Sequence, residues 1–201
     1  SAGYLKPGQQ IVFNSQTPFR KPDTSRIRLY ELDDTNRIRI PFSLTIDTSN
    51  SCMIRMTASL VRNKNYLFIA DSASFGNIYG EQSDSTGNKF TVKSEESYGK
   101  LVLNISNHEG PRIIQLLTEG EKLVTDIKMD KDGKVEFPLL ERGNYRVRVI
   151  YDFNGDGKWT TGNFLAGRQP EPVSYLPVEV DIKENWVRDY NWDISEKNFK
   201  K

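Results

Sequence analysis

Gly143-Asn144-Tyr145-Arg146-Val147-Arg148-Val149-Ile150-Tyr151 repeats with a period of two: Tyr145, Val147, Val149 and Tyr151 share one face, and Arg146, Arg148 and Ile150 the other. An amphipathic helix would bring its apolar residues back at three and four, so the stretch reads as a β-strand with one dry face. Arg142-Gly143-Asn144 in front of it has turn chemistry, and the spacing predicts a hairpin with Val135-Glu136-Phe137 at the centre of a sheet.

The same signal recurs outward in both directions. Short alternating or continuous β-branched runs occupy 11–13, 27–32, 38–46, 53–56, 66–70, 90–92, 101–105, 112–117, 123–129, 178–182 and 188–194, and almost no stretch keeps helical spacing. Turn residues separate them, among them Lys6-Pro7-Gly8, Asp33-Asp34, Asn63-Lys64-Asn65 and Asp130-Lys131-Asp132-Gly133, the last read as an ordinary hairpin turn. The expected fold class is all-β. For 201 residues, two consecutive β-sandwich domains fit better than one. The join is expected within 94–99, after the polar loop 80–88 and before the new period-two strand that opens with Leu101, Leu103 and Ile105. Domains are therefore expected at 1–95 and 96–201, the second with a long Asp/Asn/Gly-containing loop at 152–173.

Composition narrows function by exclusion. Hydrophobic residues make up 36% and charged residues 27%, which is enough apolar content for a core and unlike a disordered or collagen-like chain. Lys and Arg number 28 against 27 Asp and Glu, and the net charge of +1 gives no electrostatic reason for a nucleic-acid or anionic-membrane partner. A single histidine, His108, and a single cysteine, Cys52, preclude a His/Cys metal cluster and an intramolecular disulfide. No run of about 18 apolar residues occurs. Ser1-Ala2-Gly3 lacks the basic and apolar segments of a signal peptide, so the chain is expected to be a soluble piece of a longer protein, with no transmembrane segment of its own.

Two sets of residues carry a resemblance. Pro7-Gly8-Gln9-Gln10-Ile11-Val12-Phe13, Pro18, Ile27-Arg28-Leu29, Tyr66, Gly76-Asn77-Ile78-Tyr79-Gly80 and Ser83-Asp84-Ser85 resemble a bacterial Ig-like domain of the S-layer-protein (SbsA) type. Tyr98-Gly99-Lys100-Leu101, Ile114-Gln115-Leu116-Leu117, Gly143 to Ile150, the stretch 152–162, Gln169-Pro170-Glu171 and Asn185-Trp186 resemble the C-terminal part of Ig-like-domain lipoproteins of gut-type Gram-negative bacteria. The resemblance implies an Ig-like domain followed by a prealbumin-like one of the transthyretin or collagen-adhesin B type. It also implies a place in the cell envelope, with membrane attachment only through an N-terminal lipid anchor absent from this chain, and no enzyme activity.

The sharpest local motif is Asp152-Phe153-Asn154-Gly155-Asp156-Gly157-Lys158-Trp159-Thr160. Oxygen-bearing side chains at alternate positions before a glycine match the first half of an EF-hand-type calcium loop, and a hard cation such as Ca²⁺ takes oxygen ligands in this arrangement. Asp152, Asn154 and Asp156, the Lys158 carbonyl and Thr160 are the candidate ligands, with calcium as the candidate cofactor. The second half of the pattern departs: the twelfth position is Asn163 and not a bidentate Glu, and Thr160 stands where the resembled family commonly has an Asp. The competing reading is a loop rich in Asp, Asn and Gly because those residues make turns.

Other features have plainer readings. Trp159, Trp186 and Trp192 could stack on sugars, but Trp192 alternates with Tyr190 and Ile194 as a packing residue would, and Trp159 could simply cover the Asp-rich loop. His108 lies in a turn sequence without an evident partner, no Gly-x-Ser-x-Gly elbow occurs, and Cys52 reads as a small buried hydrophobe. Glu95 and Glu96 are adjacent, which places them on opposite sides of a strand and not across a glycosidase cleft. Arg20, Lys21, Arg26, Arg28, Arg37, Arg39, Arg55 and Arg62 read as a solvated sheet face, or as a docking face for a protein or glycan. The function expected is a non-enzymatic structural or interaction module, adhesion-related, with a protein or glycan partner at the cell surface; the alternative is a carbohydrate-binding module for polysaccharide capture.

Overall fold

The structure is a computed structural model describing residues 3–33, 36–107 and 109–195. His108 and Asp34, both read above as turn residues, lie outside the described residues. Among the described residues the secondary structure is strand, apart from two short 3-10 turns, so the all-β expectation holds. The chain divides into two compact units, Ser1–Glu95 and Glu96–Lys201. No helix among the described residues is long and apolar enough to cross a membrane.

The first unit contains β1 (Gly3–Leu5), β2 (Ile11–Asn14), β3 (Ile27–Asp33), β4 (Asn36–Arg39), β5 (Phe42–Ile46), β6 (Met53–Ala58), β7 (Lys64–Ala70) and β8 (Thr86–Val92). One sheet runs β1-β8-β7-β3-β4 and the other β2-β6-β5. Ile27 and Leu29 of β3 and Tyr66, Phe68 and Ala70 of β7 meet Ile54 and Met56 of β6 in one buried cluster, which makes the unit a sandwich. The run 38–46, expected as one strand, is split into β4 and β5 in different sheets. Pro41 lies at the break, where its missing N–H cannot serve a ladder. Asn77 is buried and fastens the 76–81 turn: its amide donates to Thr17 Oγ1 and Glu81, and its oxygen accepts from Tyr79 N and Glu81 N.

The second unit contains β9 (Gly99–Ser106), β10 (Arg112–Thr118), β11 (Leu123–Met129), β12 (Gly133–Leu140), β13 (Gly143–Tyr151), β14 (Val173–Tyr175), β15 (Val180–Ile182) and β16 (Val187–Asp193). One sheet is ordered β11-β10-β13-β14 with β15 also on β13; the other is β12-β9-β16. Tyr145, Val147, Val149 and Tyr151 face the core as their alternation requires, against Leu101, Leu103 and Ile105 of β9. Ile150 on the other face is also buried, opposite Ile113 of β10, so that face is dry at this end. Gly99 is required where β9 begins, since a Cβ there would stand 2.5 Å from Ile182 Cγ2 and 2.6 Å from the Lys183 carbonyl.

Two turn readings are corrected here. Val135-Glu136-Phe137 does not form a hairpin with β13: β12 pairs with β9, in the opposite sheet. The reason lies in Pro138 and Leu139. Proline removes a ladder donor, Leu139 adopts a left-handed φ of 54°, and the register shifts between Phe137 and Leu140, a bulge past which Leu140 still pairs with Gly99 of β9. The Glu141 carbonyl then accepts from Tyr145 Oη at 2.9 Å as β13 starts on the other side. Likewise 130–133 joins β11 and β12, which belong to different sheets, and is an inter-sheet connection and not a hairpin turn.

Candidate functional site

The site grows from the end of β13. Tyr151 closes the strand, and Asp152 N donates to the Pro111 carbonyl at 3.1 Å. The backbone then reverses twice through glycines with left-handed φ, Gly155 at 69° and Gly157 at 72°. A side chain at Gly157 would also run into the Lys128 ammonium group.

Within this tight path each acidic or amide side chain folds back on the backbone that follows it. Asp152 accepts Asp156 N through Oδ1 at 3.1 Å and Gly157 N through Oδ2 at 2.7 Å. Asn154 Oδ1 accepts Asp156 N at 2.9 Å, and Asp156 Oδ1 accepts Lys158 N at 2.8 Å. Thr160 Oγ1 donates to Asp156 Oδ2 at 3.0 Å while accepting from Asn154 Nδ2 at 2.7 Å. The Lys158 N–H, followed by smaller contributions from Thr160 and Asn154, holds the Asp156 carboxyl below the usual carboxylate range.

The loop is closed from outside its own motif by Glu171, just before β14. Its backbone N donates to the Thr160 carbonyl at 3.1 Å and its carbonyl accepts Trp159 Nε1 at 3.1 Å. Its carboxylate accepts Thr160 N at 2.9 Å and Asn154 N at 3.4 Å. Asp152 is 3% exposed and Glu171 8% exposed, and among the described residues neither has a Lys or Arg at ion-pairing distance. At hydrogen-bond distance each carboxylate meets two backbone N–H groups, and the Lys128 ammonium lies nearby, beside Gly157.

The structure thus brings together Asp152, Asn154, Asp156 and Thr160, and brings in Lys158 through its N–H. Reading the sequence for a ligand at the twelfth position missed Glu171, because a fold, unlike an EF-hand, supplies the closing carboxylate from beyond a long excursion; its one visible signal was the quoted Gln169-Pro170-Glu171. Asn163 lies instead in the loop's tip, bonded both ways to Arg168. Hard oxygen donors suit calcium in kind. In arrangement they serve backbone N–H groups, the Asn154 amide points a donor at Asp156 Oδ2, and among the described residues no three His, Cys, Asp or Glu side chains are grouped to hold a metal. At the tip, Phe164 and Leu165 are each 97% exposed.

The remaining candidates settle into structural positions. Trp192 is in the core, Trp159 is tied to Glu171, and Trp186 is covered by Lys183 and Arg188 at 4.8 and 4.9 Å from its ring centre. Arg26, Arg28, Arg55 and Arg62 pair with Asp23, Asp71, Asp47 and Glu95, while Arg37 and Arg39 are exposed on β4 and Arg20 and Lys21 are exposed ahead of β3. Glu95 lies in a 3-10 turn and not on a strand. Cys52 is only half-buried, in the turn between β5 and β6, where its N–H bonds Asn50 Oδ1; it is not a core residue.

No protein-family model matches the chain, and no curated protein matches it. Solved structures similar to it include the major pilin subunit of Bacillus cereus, at 12% identity over 96% of this chain and 66% of the pilin, with a TM-score of 0.31. The chain therefore spans about two thirds of that pilin's length. The group B streptococcus pilus 2b backbone protein matches at 11% identity, covering 94% of this chain and 92% of the other, with a TM-score of 0.27. A family-26 carbohydrate-binding module from Eubacterium rectale, solved with maltoheptaose, matches at 9% identity over 92% and 93%, with a TM-score of 0.26. Scores of this size carry no conclusion about function.

Proposed function

We propose that this chain is a non-enzymatic structural module of a bacterial cell-surface protein, an Ig-like unit followed by a prealbumin-like one, and that loop 152–173 braces the second unit with calcium as its ligand. The observation that carries this reading is the pair of buried carboxylates. A carboxylate that does acid or base work faces a substrate, whereas Asp152 and Glu171 face inward and fix the backbone of their own loop. Buried carboxylates met by amide dipoles favour a cation, and calcium would draw on Asp152, Asn154, Asp156 and Glu171, adding to the Lys128 ammonium that lies beside Gly157. The envelope setting and the lipid anchor come from the family resemblance, and the adhesive role falls on the tip that presents Phe164 and Leu165.

Amide hydrogen exchange of the full chain tests the brace. Asp156, Gly157 and Thr160 N–H groups are expected to exchange far more slowly than those of 163–167, with Asp152→Asn and Glu171→Ala releasing them. Equal exchange in the wild-type chain would overturn the reading. Glycan capture is the second reading, favoured by a groove whose lining includes Phe153, Arg168, Gln169 and Pro170 together with Thr160 and Glu171 of the brace. Retention on a polysaccharide panel that is lost in Phe153→Ala would put capture in place of bracing.

A further inference from the structure

In each unit the first and last strands are neighbours and run in the same direction. In the second unit β9 and β16 pair in parallel along all of β16, from Val187 opposite Lys100 to Asp193 opposite Ser106. Backbone bonds extend this ladder at both ends: Asn185 N to the Tyr98 carbonyl at 2.9 Å, Lys100 N to the Trp186 carbonyl at 2.8 Å, and Ile194 N to the Ser106 carbonyl at 3.0 Å. Side chains add cross-ties. Asn104 Nδ2 donates to Asp189 Oδ1 at 2.9 Å and Asn191 Oδ1 at 3.0 Å, and Asn107 Nδ2 donates to Asp193 Oδ2 at 2.8 Å. In the first unit β1 and β8 are also parallel, but only from Gly3 opposite Phe90 to Leu5 opposite Val92, with one further bond from Lys93 N to the Leu5 carbonyl at 3.1 Å.

This connectivity fixes how each unit meets tension. The chain enters at one end of the ladder and leaves at the other, so a pull along the chain drags the two strands in opposite directions along their own length. The evenly spaced bonds of a parallel ladder then take the load together. Were the same strands antiparallel neighbours, the pull would open the ladder from one end, bond by bond. Forced unfolding is set by this barrier and not by equilibrium stability.

We propose that the chain bears mechanical tension, with two parallel-strand clamps of graded strength: a short one in the first unit that yields first, and a long, side-chain-tied one in the second that yields last. The proposal is independent of what loop 152–173 binds. It is tested by single-molecule pulling of the full chain in a Cys52→Ser background. Handles on Glu96→Cys and Ser195→Cys load the β9–β16 ladder in shear; handles on Glu109→Cys and Ser195→Cys load the same ladder from one end. Both pairs act on one folded unit of one stability, so a difference between them reports the direction of loading. The shear geometry is expected to need at least twice the force at the same loading rate, and equal forces would overturn the clamp. Pulled from its two ends, the chain is expected to give two events of unequal force, with Asn104→Ala lowering the stronger one alone. Two events of equal force, or an effect of Asn104→Ala on the weaker one, would overturn the grading.

Discussion

The second unit contains two loops written in nearly the same letters, Asp130-Lys131-Asp132-Gly133 and Asp152-Phe153-Asn154-Gly155-Asp156-Gly157, and they solve the problem of placing negative charge in opposite ways. In the first, Asp132 faces a guanidinium: Arg112 has a side chain 0% exposed and donates to Asp132 Oδ1 at 2.8 Å, while Asn107 N donates to Oδ2 at 2.7 Å. Charge meets charge, and the pair ties the inter-sheet connection to β10. In the second, two carboxylates are more deeply buried than Asp132 and are hydrogen-bonded by backbone N–H groups, with no Lys or Arg among the described residues at ion-pairing distance. Turn residues alone therefore do not distinguish a loop closed by an ion pair from one closed on backbone N–H groups. The distinction rests on whether the fold delivers an arginine, as β10 does, or another carboxylate, as the approach to β14 does.

The comparison can be broken most forcefully at Arg112. Arg112→Ala removes the positive partner and leaves a buried gap, and it is expected to destabilise the second unit by about 2–3 kcal/mol, read from urea midpoints of the full chain. A loss within about 0.5 kcal/mol, the range of ordinary surface changes, would mean the pair is incidental. At the other loop, Glu171→Ala leaves the Thr160 and Asn154 N–H groups without their acceptor and should cost about 2 kcal/mol in chelator. Glu171→Gln keeps an acceptor oxygen and removes the charge, so its cost in chelator should stay below about 1 kcal/mol. If the two variants behave alike, the charge and not the hydrogen bond holds the loop.

Asp156→Ala is a smaller perturbation, since this carboxylate is exposed; about 0.5–1 kcal/mol in chelator is expected, from the acceptor lost to Lys158 N and Thr160 Oγ1. The smallest effect concerns a third arrangement, an exposed carboxylate among lysines. Lys100, at 2.6 Å, and then Lys134, at 2.7 Å, hold the Glu136 carboxyl down at about 2, against an ordinary 4.5. A carboxylate depressed on folding adds stability above its unfolded pKa and loses it as pH falls toward the folded one, so Glu136 contributes above about pH 4.5 and fades toward pH 2. Glu136→Gln should flatten the acid limb of a stability-against-pH curve over that window; an unchanged limb would show the two lysines to be fully screened.

Much of this was legible beforehand, and the misses have physical causes. The dry face of β13 followed from strict alternation, and Tyr145, Val147, Val149 and Tyr151 are in the core. Sheet membership was not legible. Period two says which way a side chain points but not which ladder its backbone joins, and so Val135-Glu136-Phe137 was paired with the wrong neighbour. Pro41 and Pro138 carry usable information, since the first stands where the chain leaves its sheet and the second at a bulge in its ladder. β1 and β14 were too short to register as patterns. At the candidate site the alternating Asp152, Asn154 and Asp156 were visible as a loop motif, whereas Glu171 could be assigned only once the fold closed the excursion between Thr160 and β14. The exposure of Phe164 and Leu165 is not legible in the sequence, because two apolar residues in a loop look like any others until their surroundings are known.

In the function proposed above, Asp152, Asp156 and Glu171 form a structural brace completed by calcium. Its most direct test is the thermal unfolding midpoint of the chelator-stripped chain with and without calcium, for the wild type, Glu171→Gln and Asp156→Ala. At tenfold over the dissociation constant, binding to the folded state alone contributes about 1.4 kcal/mol, a rise of about 6–11 °C for a unit of this size. The account predicts that rise in the wild type and its loss in both variants. A wild-type midpoint that calcium leaves unmoved, or a rise that survives in Glu171→Gln and Asp156→Ala, would contradict it.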